Sequence, residues 1–289
     1  MKKKNGSGGF IITLIVLLVV AGGIFAVSHN WKTGENAIVQ QIEAQTGNPE
    51  ALYQLGLKAQ GDKAVAWFEK AAAKGHVKSM LALGDHYDTL TTEEAGDQAI
   101  AWYQKASDAG NLEAKRKLAA DIGIGRGKGE PDIQRADKLM GEAAAAGDGM
   151  AQLIFGRNLA GAGNYEEGET WLLKASAQGV KGSSAALGNL YYNHYSRLKD
   201  DTKALQWLGK AAEEGDTRSQ LDYSYMYYSG RGVAQDRAEA YKWLLLADPK
   251  REDVDSALEW LKPQLKAGEA AEGEKRAAAW KAAHPAKPS

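Results

Sequence analysis

The chain has 289 residues, 44% hydrophobic and 25% charged, with a formal net charge of −1 and no cysteine. That length accommodates one extended repeat array or two ordinary domains, and the absence of thiols excludes disulfides, thiolate metal sites, thiol nucleophiles and a lipidated N-terminal Cys together. Abundant Ala, Leu, Glu, Lys and Gln with only six prolines favour helix throughout and almost no strand.

The first element is an apolar run of 18 residues, Phe10 to Val27. As a helix it spans about 27 Å, close to the hydrocarbon thickness of a bilayer. Phe, Ile, Leu or Val fill 13 of its positions, and each favours insertion. Lys2, Lys3 and Lys4 precede the run and only Lys32 follows closely. The positive-inside rule therefore predicts a transmembrane signal-anchor helix over residues 10–29, with residues 1–9 cytoplasmic and Trp31 at the outer interface. The expected location is the bacterial inner membrane, single-pass, with the remainder in the periplasm. A cleaved signal peptide is the competing reading; its apolar stretch runs about 7–15 residues and ends in a small-residue cleavage site, of which Ala21-Gly22-Gly23 is a poor version. Setting the three anchor lysines aside leaves the exported part at about −4, so no nucleic-acid partner is expected. Residues 30–46 read as a linker and N-capping helix, with the helix over Glu35 to Gln45.

From residue 47 the sequence repeats with a period of roughly 28 to 37 residues, a solenoid signature. Six copies are legible over residues 47–248. The first half of each carries a small residue, a large apolar one four later, and then Gly or another small residue: Ala51/Leu55/Gly56, Ser79/Leu83/Gly84, Ala114/Leu118/Ala119, Ala151/Phe155/Gly156, Ser183/Leu187/Gly188 and Ser219/Tyr223/Ser224. The second half carries Ala-x-x-Trp, with Trp67, Trp102, Trp171, Trp207 and Trp243 in one register and Leu139 replacing Trp in the third copy. An Ala-rich turn ending in Gly follows, suited to a left-handed helix C-cap. Spacings of three and four place one apolar stripe on each helix, so each copy reads as helix, turn, helix. Stacked neighbours join the stripes into a continuous core, with the tryptophans expected to fill the space between pairs. On that reading Trp67→Ala or Trp207→Ala costs about 3–5 kcal/mol. Residues 249–283 read as C-terminal capping helices interrupted at Pro263, and residues 284–289 as a disordered tail.

The pattern Ala-x-x-x-Leu-Gly-x-x-Tyr, then Ala-x-x-Trp and Ala-Ala-x-x-Gly, resembles Sel1-like repeats, relatives of tetratricopeptide repeats. The sixth copy is the best match, with Tyr227-Tyr228-Ser229-Gly230-Arg231-Gly232-Val233-Ala234-Gln235-Asp236 in the interhelical loop and Ala240 and Trp243 beyond it. Gly125-Arg126-Gly127 in the third copy is a second match; Leu139, Ala119 and Ser224 depart from the pattern. The resemblance implies an all-α, right-handed α-α superhelical solenoid of about six helix pairs, joined here to the N-terminal transmembrane helix. It also implies a protein or peptide partner and no chemistry. An envelope scaffold or adaptor is the leading expectation, and a periplasmic immunity protein that neutralises a secreted effector such as a lipase is the alternative.

In such a solenoid the first helix of each pair lines the concave face. With the large apolar residue at 0°, positions −5, −2, +2, +5 and +6 fall between about 140° and 240°, opposite the core stripe. They predict a groove of Tyr53, Gln60, Lys78, Asp85, Asp88, Arg116, Arg157, Asn189, Tyr192, Asn193, Arg218, Tyr225 and Tyr228, with the aromatics concentrated in the last two copies. Tyr and Arg supply much of the energy of protein interfaces.

No enzyme, cofactor or metal is expected. Gly123 to Gly129 resembles a phosphate loop, but the spacing is wrong and no Ser or Thr follows Lys128. His29, His76, His86, His194 and His284 lack the paired spacing of a metal motif. No Gly-x-Ser-x-Gly elbow occurs.

Overall fold

The computed structural model describes residues 47–193 and 198–285. The signal anchor, Trp31 and the N-capping helix fall outside the described residues. Those residues form fourteen α-helices and no strand, and none of these helices is long and apolar enough to cross a membrane. The chain divides into two compact units after Lys74.

The described part of the first unit is one pair, α1 (Pro49–Lys58) and α2 (Asp62–Ala72). Asn48 caps α1 by accepting from the Glu50 and Ala51 amides at 3.0 and 3.2 Å, and Pro49 sits at the first helical position, where no amide is needed.

The second unit holds five more pairs: α3 (Val77–Asp88) with α4 (Glu93–Asp108), α5 (Leu112–Ile124) with α6 (Ile133–Ala145), α7 (Gly149–Gly161) with α8 (Tyr165–Ala177), α9 (Ser183–Tyr192) with α10 (Asp201–Glu213), and α11 (Thr217–Ser229) with α12 (Arg237–Leu246). Two closing helices follow, α13 (Glu252–Leu261) and α14 (Glu269–Ala283), separated by a 3-10 turn, Lys262–Gln264, built on Pro263. Each of α3 to α12 packs on the helix before and after it within the unit, and α12 then packs on α13 and α14. At most of the boundaries between pairs the chain reverses at a glycine with positive φ followed directly by a side-chain N-cap; for example, Gly110 (88°) precedes Asn111, and Gly215 (85°) precedes Asp216. A side chain at φ of that sign is strained, and the capping oxygens accept from the Ala114 and Ser219 amides at 2.8 and 2.7 Å.

The core differs from the sequence expectation by one position. Trp67, Trp102, Trp171 and Trp207 are half-buried, and only Trp243 of the register is buried. A lysine three residues on lies over each half-buried indole, with Lys70, Lys105, Lys174 and Lys210 at 4.6, 3.8, 3.8 and 5.3 Å from the ring centroids. The deeply buried residue is the next one along: Phe68, Tyr103, Met140, Leu172, Leu208 and Leu244. Four of these plug the hole left by the glycine of their own pair's first helix. A Cβ on Gly56 lies 2.3 Å from the Phe68 ring, one on Gly84 2.4 Å from Tyr103, one on Gly156 3.0 Å from Leu172, and one on Gly188 2.7 Å from Leu208. The 3–5 kcal/mol expected for Trp67 and Trp207 therefore overstates their part, because a half-exposed ring forfeits only a fraction of its transfer energy on truncation.

At the C-terminal end α14 folds back: Trp280 donates to Glu213 at 2.6 Å, and Arg276 pairs with Asp236 at 2.8 Å and Glu239 at 3.1 Å. The tail expected to be disordered from His284 is held at that residue, whose ring stacks on Trp280 at 4.3 Å.

Candidate partner-binding groove

The first helices of three successive repeats, α7, α9 and α11, line a cavity of about 420 Å³, within the ~300–1,000 Å³ usual for binding clefts. Its apolar floor comes from Ala160, Tyr165, Leu172, Ala186 and Leu190; its polar wall is Arg157, Asn189, Asn193, Asp216 and Arg218. Small residues at Ala160, Gly161, Gly182, Ala185 and Ala186 open the space, since larger side chains on these helices would fill it. Asn189 on α9 and Asn193, the residue that caps its C-terminal end, stand one turn apart on the same side.

Four residues of the sequence-derived groove, Arg157, Asn189, Asn193 and Arg218, thus meet around one opening. Tyr225, 49% exposed, lies two turns along α11 from Arg218. Tyr192 is half-buried under Arg231, whose guanidinium sits 4.3 Å from its ring centroid, and burial raises its phenol above the ordinary range. Tyr228 packs edge-on against Trp260 at 4.6 Å and donates to Gln264. This ring packs into the closing helices.

The remaining candidates are placed differently. Tyr53 turns onto Phe68 (5.7 Å) and into the Ala51, Leu52 and Ala71 cluster, because the ring that fills the Gly56 hole offers it an apolar partner. Gln60 lies beyond the end of α1, and Lys78 is exposed at the start of α3. Asp85 accepts from the Tyr103 hydroxyl at 2.8 Å and from Lys117 at 2.6 Å, and Asp88 pairs with Arg126 at 3.1 Å. Arg116 lies 3.2 Å from Asp148. These charges neutralise one another across α3, α5, the Gly125-Arg126-Gly127 loop and the N-cap of α7.

Two residues that hold the groove's surroundings, without lining the cavity, escaped the angular argument. Asp222 is buried, 7% exposed, and accepts from Arg218 Nε at 3.1 Å. Burial pushes its carboxyl above the ordinary range, Arg218 pulls it down, and Asp216 and Asp253 push it up. The i, i+4 spacing of Arg218 and Asp222 carries that pairing in the sequence. Arg231 reaches back from the loop after α11 to Asp201 at 2.5 Å and to the Tyr192 carbonyl at 2.9 Å, fixing the end of α9 beside the cavity. Its only signal in the sequence is the Gly230-Arg231-Gly232 loop. Among the described residues no group of three or more His, Cys, Asp or Glu side chains is arranged to hold a metal ion.

The comparisons with known proteins agree with this architecture. The Sel1 repeat model matches residues 47–76, 77–111, 112–148, 155–180, 183–216 and 217–247. No curated protein matches the chain. Among solved structures, a Sel1 repeat protein from Oxalobacter formigenes superposes with a TM-score of 0.61 at 23% identity, covering 86% of this chain and 98% of that one. A protective antigen of uropathogenic Escherichia coli displaying an SLR fold gives 0.61 at 21% identity over 85% of this chain, which spans 63% of that protein's length. An immunity protein from Pseudomonas aeruginosa gives 0.43 at 22% identity over 83% of this chain and 88% of that one. Six matched repeats covering most of the chain, each realised as a helix pair, place this protein in the Sel1 repeat family.

Proposed function

We propose that this Sel1 repeat protein is an interaction scaffold of the bacterial envelope that holds a partner protein in the groove of α7, α9 and α11. In this reading residues 10–29 anchor it in the inner membrane and the repeats work in the periplasm. The observation that carries the proposal is the convergence of Arg157, Asn189, Asn193 and Arg218 from three successive repeats on one apolar-floored cavity of about 420 Å³. Side chains from a single helix do not build such a cleft, and polar groups around an apolar floor are the usual makeup of a binding site.

Affinity capture from the native envelope tests it, with the intact chain against Arg157→Glu/Asn189→Ala/Tyr225→Ala. All three positions are exposed, so the substitutions leave the core alone. Loss of one specific protein from the capture, with helicity unchanged, is expected; an identical capture profile overturns the assignment. An immunity protein would use the same groove. If the captured partner is an exported enzyme whose turnover this chain suppresses, the inhibitor reading replaces the scaffold.

A further inference from the structure

We infer that the groove takes an acidic segment of its partner, and that a carboxylate seated on Arg157 and Arg218 draws Arg218 away from Asp222, so that docking takes up a proton. The inference rests on the proposed reading of the groove as the docking surface, and it adds the chemistry of what docks there.

Charge complementarity is the first ground. Among the described residues, the charged ones lining the cavity are Arg157, Arg218 and Asp216. Asp216 already accepts from the Ser219 amide at 2.7 Å as the cap of α11. Arg157 is exposed and has no carboxylate partner among the described residues, whereas Lys115, Arg116 and Lys117 on α5 and Arg126 after it are each paired with a carboxylate. A guanidinium presented over an apolar floor suits a planar carboxylate, which it binds in two parallel hydrogen bonds.

The second ground is the asymmetry of the Arg218–Asp222 pair. The Arg218 side chain is 62% exposed and that of Asp222 only 9%. The arginine can turn toward a ligand while the aspartate stays buried. The charges and titratable groups facing Asp222 are Arg218 and Asp216 on its own helix, Tyr192 at the end of α9 and Asp253 on α13. Asp253 is itself held by Arg251 at 2.6 and 2.9 Å. Among the described residues, Arg218 is the one cation acting directly on Asp222. With Arg218 withdrawn, Asp222 becomes a buried carboxylate without a counter-charge, and such a group neutralises by taking a proton from solvent. Conversely, ionised Asp222 competes with the ligand for Arg218, so affinity for an acidic segment falls as pH rises.

The test uses the full chain in detergent solution and three labelled peptides of ten residues, alternating Val with Glu, Gln or Lys. The expected result is binding of the Glu peptide at least tenfold tighter than the Gln peptide, with the difference lost in Arg157→Gln. Affinity for the Glu peptide should fall several-fold from pH 6 to pH 8, and Asp222→Asn should abolish that dependence while binding at pH 8 at least as tightly as the parent. Calorimetry in two buffers of different ionisation heat should show net proton uptake in the parent and none in Asp222→Asn. Equal affinity for the Glu and Gln peptides, binding of none of them, or a pH dependence unchanged in Asp222→Asn overturns the inference. So does displacement of the Glu peptide by low millimolar phosphate, or Arg157-dependent retention on phosphatidylglycerol vesicles in preference to the peptide. Equal Glu and Gln affinities that both collapse in Asn189→Ala/Tyr225→Ala would remove the acidic preference and leave the groove standing. A capture profile indifferent to the groove substitutions would instead remove the reading beneath it.

Discussion

Arg231 of the sixth repeat closes on Asp201 of the fifth, Nε to Oδ1 at 2.5 Å, while its Nη2 donates to the Tyr192 carbonyl at 2.9 Å. Arg126 does the same work three repeats earlier, pairing with Asp88 at 3.1 Å and donating to the Leu90 carbonyl at 3.1 Å. Each arginine sits between two glycines with positive φ, and the second glycine lies against the preceding repeat. A Cβ on Gly127 would be 2.9 Å from the Asp97 amide nitrogen, and one on Gly232 2.5 Å from the Asp201 carbonyl oxygen. The loop is therefore a clasp from one repeat to the one before it, and at Arg231 it fixes the edge of the groove.

Arg231→Ala should destabilise the fold by about 2 kcal/mol, since it removes a charge-assisted hydrogen bond and a carbonyl partner from a largely enclosed site. Arg231→Lys should recover only part of that, because an ammonium does not reproduce the planar fork over Tyr192. Urea unfolding of the three proteins checks the order.

Leu208→Ala should cost about 2–5 kcal/mol, more than Trp207→Ala next to it. Leu208 is wholly buried against Gly188, whereas Trp207 is half-buried beneath Lys210. Thermal melts of the two variants decide it, and a larger loss in Trp207→Ala would restore the tryptophan as the main filler.

Gly188→Ala should cost about 1–3 kcal/mol by overpacking, because the new methyl lands 2.7 Å from a Leu208 methyl and 3.0 Å from the Leu208 backbone nitrogen. Pairing it with Leu208→Val should not restore the parent stability, since the backbone contact remains. Denaturation midpoints of the single and double variants measure this.

The buried carboxyl of Asp121 gives a pH signature. It is 7% exposed; burial and then Asp88 push its pKa up to about 6, against the pull of Arg126 and Lys117. The folded state therefore holds a proton that the unfolded chain releases near pH 4. Stability contributed by this group is present below pH 4 and is lost as pH rises through about 6. Asp121→Asn should stabilise the protein by about 3 kcal/mol at pH 8 and by nothing at pH 4, read as the difference in melting temperature from the parent at each pH. A gain of equal size at both pH values would contradict the assignment.

The repeat itself was legible because it is a pattern of small and large residues at helical spacing, repeated six times, and the reversal glycines mark every boundary. The tryptophans misled for a physical reason. A large ring in phase looks like core, but its neighbour Leu208 or Phe68 points at the glycine hole, and the pattern alone does not say which of two adjacent apolar residues faces inward. The groove was half legible. The angular argument grouped Arg157, Asn189, Asn193 and Arg218, which do line one cavity because their directions depend only on the pitch of their own helices. It misplaced Tyr53, whose direction is set by Phe68 on another helix, and it counted Asp85 without seeing that Tyr103 and Lys117 occupy its carboxylate. Pairings between helices, like that of Arg231 with Asp201, need the fold before they can be read.

Photo-crosslinking in intact cells tests the docking face most directly. A photoreactive residue placed at Asn189 or Arg157, on the first helices, should yield one discrete adduct with a partner protein, and the same residue at exposed Glu167 on α8 should yield none. Adducts confined to Glu167, or silence at both groove positions while the partner still co-purifies, would contradict the assignment of the groove.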